Sequence, residues 1–453
     1  MRKLSLIITL GLAVFGQAQT NPAITSWLQN TTQTGTYYNA GSSVTIGNGI
    51  LVNCQAVQYS TNWAYITATG VPAYPTGPFT GDGNPSQAQN QNAIFKIPLN
   101  PVPNTGTLTA TSGGNIGIFI NGVALFDYRD GVAWNNATSA LCGGPGNPPC
   151  PGGMGAAMPW NRDAIPAEKP GFDCSKGHPA MGNYHHHQNP SAFNLDLTII
   201  STICDLYAAD GLYAINPSQH SPLIGFAYDG FPIYGAYGYA NADGTGGIVR
   251  IKSGYQLRNI TTRTVWADGT DVADGPAVST TYPLGYFRED YEFVAHPEAD
   301  YLDEHNGRFC ITPEYPAGIY CYFATVDVNH NSAYPYAVGP TFYGVKSAGK
   351  VTSITEAVTT YTSTAGIDET KKIDFKVFPN PSADIIMVQT NGLTTNEIAI
   401  DLTDANGKVI QTQTIQKGST IAYFNVATLY SGTYFVHIKS GAKNASYSVV
   451  IAE

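Results

Sequence analysis

Hydrophobic positions along the chain fall into three patterns. An almost unbroken apolar run from Leu4 to Phe15 follows Arg2 and Lys3 and ends at Gly16-Gln17-Ala18. From Lys371 to Glu453, apolar and polar residues alternate in short segments split by turn formers. Phe375-Lys376-Val377-Phe378 precedes Pro379-Asn380-Pro381, Ile398 to Leu402 precedes Asn406-Gly407, and Gly432 to Ile438 precedes Ser446 to Ile451. Alternation at that spacing predicts a small antiparallel β-sandwich. Between these ends the apolar stretches are short and aromatic. Ile224 to Gly235 reads as strand, turn and strand around Asp229-Gly230, and Gly117 to Val123 reads as a strand. Residues 346–370 shift to small and hydroxylated types, as in Thr352-Ser353 and Thr359 to Thr364, which predicts a linker. The expected fold is therefore mainly β: a large β-rich domain over 19–345, a linker over 346–370 and the sandwich over 371–453.

The first run has the charge, length and small-residue end of a secretory signal peptide over residues 1–18, with the mature chain starting near Gln19. It is too short for a stop-transfer helix, and no later stretch reaches ~18 apolar residues, so no transmembrane segment is expected. Composition agrees with export. Charged residues are 12%, half of the ~25% usual for soluble domains, yet hydrophobic residues reach 43%, so the chain does not read as disordered. In place of charge stand 48 Gly, 29 Pro and 29 Tyr, a mixture suited to loop-rich β folds. A net charge of −10 argues against a nucleic-acid partner, which would need a clustered basic face.

Export makes the seven cysteines readable as disulfide candidates. Cys310 and Cys321 flank a hairpin centred on Tyr315-Pro316 and are expected to pair. Cys142 and Cys150 bracket a Gly/Pro loop and form the second expected pair. Cys54, Cys174 and Cys204 leave their connectivity open and one thiol over. No C-x-x-C spacing supports a cysteine zinc site.

Histidine is concentrated in one region. In Gly182-Asn183-Tyr184-His185-His186-His187-Gln188-Asn189-Pro190, an extended backbone puts His185 and His187 on one face and His186 on the other. Imidazoles at i and i+2 on a strand stand roughly 6.5–7 Å apart at Cβ, close enough to converge on one metal ion. His178 in Gly177-His178-Pro179 is the nearest further ligand candidate, with His220 and His305 as distant ones; His296 and His330 rank below them. The ligand types suit zinc or copper. Were one coordination position open, a bound water could act as nucleophile, with Asp229 or Glu304 as base candidates. No G-x-S-x-G, H-E-x-x-H, G-x-x-x-x-G-K-[ST] or strand-borne G-x-G-x-x-G motif occurs, so the sequence commits to no enzyme class.

Two resemblances complete the reading. Val377-Phe378-Pro379-Asn380-Pro381, Leu402-x-Asp404-x-x-Gly407-Lys408, Leu429-x-x-Gly432-Thr433-Tyr434 and the terminal strand with Lys443 resemble the type A C-terminal sorting domain of the type IX secretion system of Bacteroidetes-type bacteria. That resemblance implies the type IX machinery as a partner and a secreted or outer-surface location. Gly177-His178-Pro179, Gly182-x-Tyr184-His185-x-His187, His220-Ser221-Pro222-x-Ile224 to Gly235, Leu302-Asp303-Glu304-x-Asn306-Gly307-Arg308, Thr312 to Tyr320 and Tyr334-Pro335-Tyr336-x-x-Gly339-Pro340 resemble the YHYH proteins. The second Tyr of that signature is His186 here. The resemblance implies no particular reaction. The function expected is a transition-metal-binding, exported YHYH-like domain. The alternative is a non-enzymatic surface module that serves glycan binding or adhesion through its aromatic residues, with structural histidines.

Overall fold

The computed structural model describes residues 21–42, 44–79, 87–152, 158–190, 217–362, 375–390, 397–404, 408–440 and 443–452. The expected signal peptide and Cys204 lie outside this set. The chain divides into two compact units, Met1–Thr362 and Ser363–Glu453.

In the first unit, a five-stranded antiparallel sheet is built around Trp63–Ala68, flanked by Cys54–Tyr59 and Ala93–Pro98. Ala93–Pro98 shows how the sequence makes it. Ala93, Phe95 and Ile97 are buried, whereas Ile94 and Lys96 on the other face are half-buried, as period two requires. An eight-stranded sheet runs in the order His178–Ala180, Asn183–His186, Ala124–Phe126, Asn115–Phe119, Leu223–Ala227, Pro232–Tyr234, Ile319–Phe323, Gly307–Cys310. Its strand pairs are antiparallel except two: Asn183–His186 beside Ala124–Phe126, and Pro232–Tyr234 beside Ile319–Phe323. One hydrophobic cluster draws on both sheets, with Val57, Ile66 and Phe95 from the first and Ile118, Leu125, Phe226 and Ile233 from the second. Leu223–Ala227 is buried at every position, as a strand covered on both faces must be.

The linker expectation over 346–370 is corrected as far as Tyr361. Gly349–Val351 and Thr359–Tyr361 are the two outer strands of the five-stranded sheet, paired with Ala93–Pro98 and Cys54–Tyr59. Thr359 and Thr360 are exposed there. An edge strand facing water has the same hydroxylated composition as a linker, and β-branched threonine favours the strand.

The second unit is the expected sandwich. Phe375–Phe378, Ile385–Thr390 and Ile421–Asn425 form one sheet, and Val409–Ile415, Ile398–Thr403, Gly432–Ser440 and Lys443–Ile451 the other. Its own core includes Ile386, Val388, Ile400, Leu402, Phe424, Val436 and Val449. His437 Nε2 sits 3.1 Å from Thr403 Oγ1, within hydrogen-bond distance.

Cys142 and Cys150 form a disulfide, and Cys174 is also disulfide-bonded. Cys54 is a buried free thiol. The Cys310 and Cys321 thiols are buried and free, with sulfurs 3.4 Å apart on neighbouring strands, which is contact without a bond. Their proximity predicts closure in an oxidising compartment. In non-reduced protein secreted by its own host, the tryptic fragment Phe309 to Lys346 is expected two hydrogen atoms lighter than its reduced form; an unchanged mass would refute the pairing.

Candidate metal centre

The site begins with a hairpin at the edge of the eight-stranded sheet. His178–Ala180 and Asn183–His186 are joined by Met181-Gly182, both with positive φ (49° and 83°), the geometry of a two-residue turn matched to strand twist. That register sets His178 opposite His185. Strand alternation then divides the three consecutive histidines. His186 faces inward to the core, with Nε2 2.8 Å from the Tyr74 hydroxyl and Nδ1 donating to the Lys176 carbonyl at 3.0 Å. His185 and His187 share the other face, their Nε2 atoms 3.1 Å apart.

Both of these rings are fixed from behind. His185 Nδ1 lies 2.8 Å from the Asn183 carbonyl, and His187 Nδ1 lies 2.5 Å from the Asp127 carbonyl. A carbonyl can only accept, so each Nδ1 carries a hydrogen, and in the neutral form of each ring the Nε2 presents a lone pair. Phe126 stacks on His185 with centroids 3.7 Å apart and planes 16° apart. Phe172 meets His178 edge-on, with centroids 5.0 Å apart.

A short helix, Ala164–Glu168, brings the carboxylate. Asp163 caps it, accepting from Ile165 N, and Glu168 ends it. Glu168 Oε2 lies 3.0 Å from His187 Nε2 and 3.2 Å from His178 Nε2. Burial alone would raise the Glu168 pKa, but His187 and His178 hold it well below the usual carboxylate range. Burial pushes the His185 pKa down, and neighbouring His178 and His187 push it further, so His185 stays neutral. Among the described residues, His178, His185 and His187 are the group of His, Cys, Asp or Glu whose ligand atoms all lie within 4.8 Å of one another.

The remaining candidates stand elsewhere. His220 packs between Tyr234 and Tyr239, with ring centroids 5.2 and 5.0 Å away, and its Nδ1 donates to the Ser221 carbonyl. His305 lies 2.6 Å from Thr341 Oγ1 beside the strand Gly307–Cys310, at the opposite edge of the eight-stranded sheet from the hairpin. Seven strand spacings of ~4.8 Å put it on the order of 30 Å away. Neither histidine joins the group of three.

The two base candidates also stand apart from the three histidines. Asp229 is fully buried and accepts from the Tyr322 hydroxyl and from Gly344 N, at 2.5 and 2.8 Å, so it ties a turn together. Burial raises its pKa to about 6, against the lowering effect of those bonds. It lies at the end of a strand three places from the histidine hairpin, about 14 Å away by strand spacing. Glu304 is a turn residue with a 54% exposed side chain.

Glu168, Phe126, Phe172 and the Asp127 carbonyl were not singled out from sequence. Asp163 before Ala-Ile-Pro-Ala-Glu, with proline in the first turn, is a readable helix start. Nothing in the spacing says that such a helix meets the histidines.

Asp163 yields a pH prediction. Its Oδ1 accepts from Ile165 N at 2.9 Å and its Oδ2 from the Tyr336 hydroxyl at 2.6 Å. Burial raises its pKa to about 8, although these two bonds pull it down. An unfolded aspartate titrates near ~3.9, so between the two values the native state holds a proton that the unfolded state has lost. This group's contribution to stability is therefore present at low pH and is lost as pH rises toward 8. Asp163→Asn keeps a capping oxygen but does not titrate. The melting temperature of the wild type, relative to Asp163→Asn, is expected to fall between pH 5 and pH 8; a constant difference would contradict this.

Residues 376–452 match a secretion system C-terminal sorting domain, which implies the type IX machinery and export to the cell surface or beyond. No helix among the described residues is long and apolar enough to cross a membrane. No curated protein matches the chain. Among solved structures, a DUF3244 family protein with an immunoglobulin-like β-sandwich fold from Bacteroides vulgatus is 14% identical. The match covers 17% of this chain and 94% of that one at a TM-score of 0.14, too low to carry an argument. Residues 94–334, more than half of the 453, match the YHYH protein model, and the hairpin that bears the histidine signature falls inside that range, so the chain belongs to the YHYH protein family.

Proposed function

We propose that this protein is an exported YHYH protein that holds one transition-metal ion, zinc or copper, on His178, His185 and His187, with Glu168 as the fourth donor. The observation that carries the reading is the 3.1 Å separation of His185 Nε2 and His187 Nε2, each with its Nδ1 already spent on a carbonyl. When both rings are in that neutral tautomer, as metal ligation requires, their lone pairs converge on one point that a shared cation would occupy. Zinc at ~2.0–2.1 Å from tetrahedral nitrogen ligands would set them about 3.3 Å apart. The Glu168 contacts at 3.0 and 3.2 Å fit the same polyhedron. Imidazole suits both zinc and copper(II). The ion would neutralise Glu168 and lock the short helix to the hairpin, so binding also stabilises the first unit.

Residues 1–18 are read as the signal peptide removed on the way out, and 19–345 as the bulk of the exported domain, its last sheet strands reaching Tyr361. Competition between the mature chain and a chelator of known affinity tests the metal reading. One zinc or copper(II) ion per chain is expected, with affinity retained in His186→Gln, whose ring faces the core. Equal binding by a variant lacking His178, His185 and His187 would overturn it.

A further inference from the structure

The segments that carry the proposed donors also wall a cavity of about 360 Å³, within the size range of small-molecule sites. Lys169 follows Glu168 and Gln188 follows His187, and both line it. Flat surfaces come from Pro166, Pro283, Tyr286 and Tyr291. Ser332 Oγ is buried without a hydrogen-bond partner. Gln188 is 5% exposed. Buried polar groups are normally hydrogen-bonded, so this unpaired hydroxyl, with the Gln188 amide on the same wall, points to a ligand that supplies hydroxyls. Lys169 is the cation of the lining, and no carboxylate lines it.

The walls are held in place before any ligand arrives. Tyr291 stacks on Tyr334 with centroids 4.2 Å apart and planes 6° apart. The loop carrying Pro283 and Tyr286 is clasped by Arg263, which donates to the Tyr282 and Pro283 carbonyls, and by Asp290, which accepts from Gly285 N and Phe287 N. A preformed wall spares the ligand the cost of ordering it.

We propose that this cavity binds a sugar acid: one pyranose ring bearing one carboxylate. Tyrosine and proline faces accept the C–H faces of the ring. The Gln188 amide and Ser332 hydroxyl take ring hydroxyls, and Lys169 takes the carboxylate. Aromatic acids satisfy the flat faces and the lysine but leave the Ser332 hydroxyl unpaired. The site rests on the cavity residues alone, and the test is therefore run without metal.

Calorimetric titration of chelator-treated mature chain with glucuronate, glucose and benzoate decides it. Glucuronate is expected to bind roughly tenfold more tightly than glucose, since a charge-assisted hydrogen bond contributes more than a neutral one. Lys169→Ala should reduce glucuronate to the glucose level. Gln188→Ala and Ser332→Ala should each weaken both sugars about fivefold, with melting temperatures confirming that the variants fold. Benzoate binding as tightly as glucuronate, or no binding of either sugar, would overturn the proposal. Metal content measured on parallel samples keeps the two readings apart: sugar binding by a chain that takes up no metal removes the metal site and leaves this one.

Discussion

Replacing His185 and His187 together with alanine is expected to lower zinc or copper(II) affinity by a factor on the order of 10³ or more. The magnitude follows from what is removed. Loss of a partner that only orients a metal ligand already costs roughly 10–100-fold. Here two of four proposed donors disappear, and Glu168 then faces His178 alone. The change also leaves the Asn183 and Asp127 carbonyls without their ring donors, which costs about 1–3 kcal/mol each where they stay buried. Lost stability must therefore be separated from lost affinity. His186→Ala supplies the comparison: it forfeits the Tyr74 and Lys176 bonds and fills no metal position. If His186→Ala melts as early as the double variant yet keeps its metal, the affinity loss belongs to the site. Metal affinity within threefold of wild type in the double variant would refute the ligand assignment.

The second large effect is structural. Arg263 and Asp290 form an ion pair with 0% side-chain exposure on both members, Nε to Oδ1 at 2.6 Å and Nη2 to Oδ2 at 2.8 Å. Arg263 also donates to the Pro276 carbonyl. Asp290→Ala leaves a buried guanidinium without its counter-charge and frees Gly285 N and Phe287 N. A loss of about 3–5 kcal/mol is expected, because breaking a buried pair strands the remaining charge. Arg263→Met combined with Asp290→Leu, which strands no charge, should recover much of it. Urea unfolding followed by tryptophan fluorescence reads the difference, since Trp160 packs within 5.7 Å of Trp266 in the same region. A double variant no more stable than Asp290→Ala alone would show that the lost backbone bonds, not the charge, set the cost.

What could be read from sequence followed local geometry. The separation of His186 from His185 and His187 needed only the two-residue period of a strand, and the structure keeps it. His178 was within reach because ten residues of chain suffice to close a hairpin. The sandwich of the second unit was legible from its evenly spaced alternating strands. Contacts set by strand order were not legible. Spacing could not show that Gly307–Cys310 would lie at the far edge of the sheet, taking His305 away from the hairpin. Nor could it show that a helix capped by Asp163 would deliver Glu168 to His187. Thr359–Tyr361 was misread because an exposed edge strand and a flexible tether draw on the same residues. Nor could spacing tell that Asp229 would be buried, because a carboxylate that secures a turn carries the same letters as a general base.

Metal content bears most directly on the central claim. The mature chain, produced without a histidine tag and purified without added metal or chelator, is weighed for zinc and copper by elemental mass spectrometry. About one transition-metal ion per chain is expected, absent from the His185→Ala/His187→Ala variant. A metal-free chain that stays metal-free after incubation with zinc and with copper(II) would contradict the account and return His178, His185, His187 and Glu168 to a purely structural role.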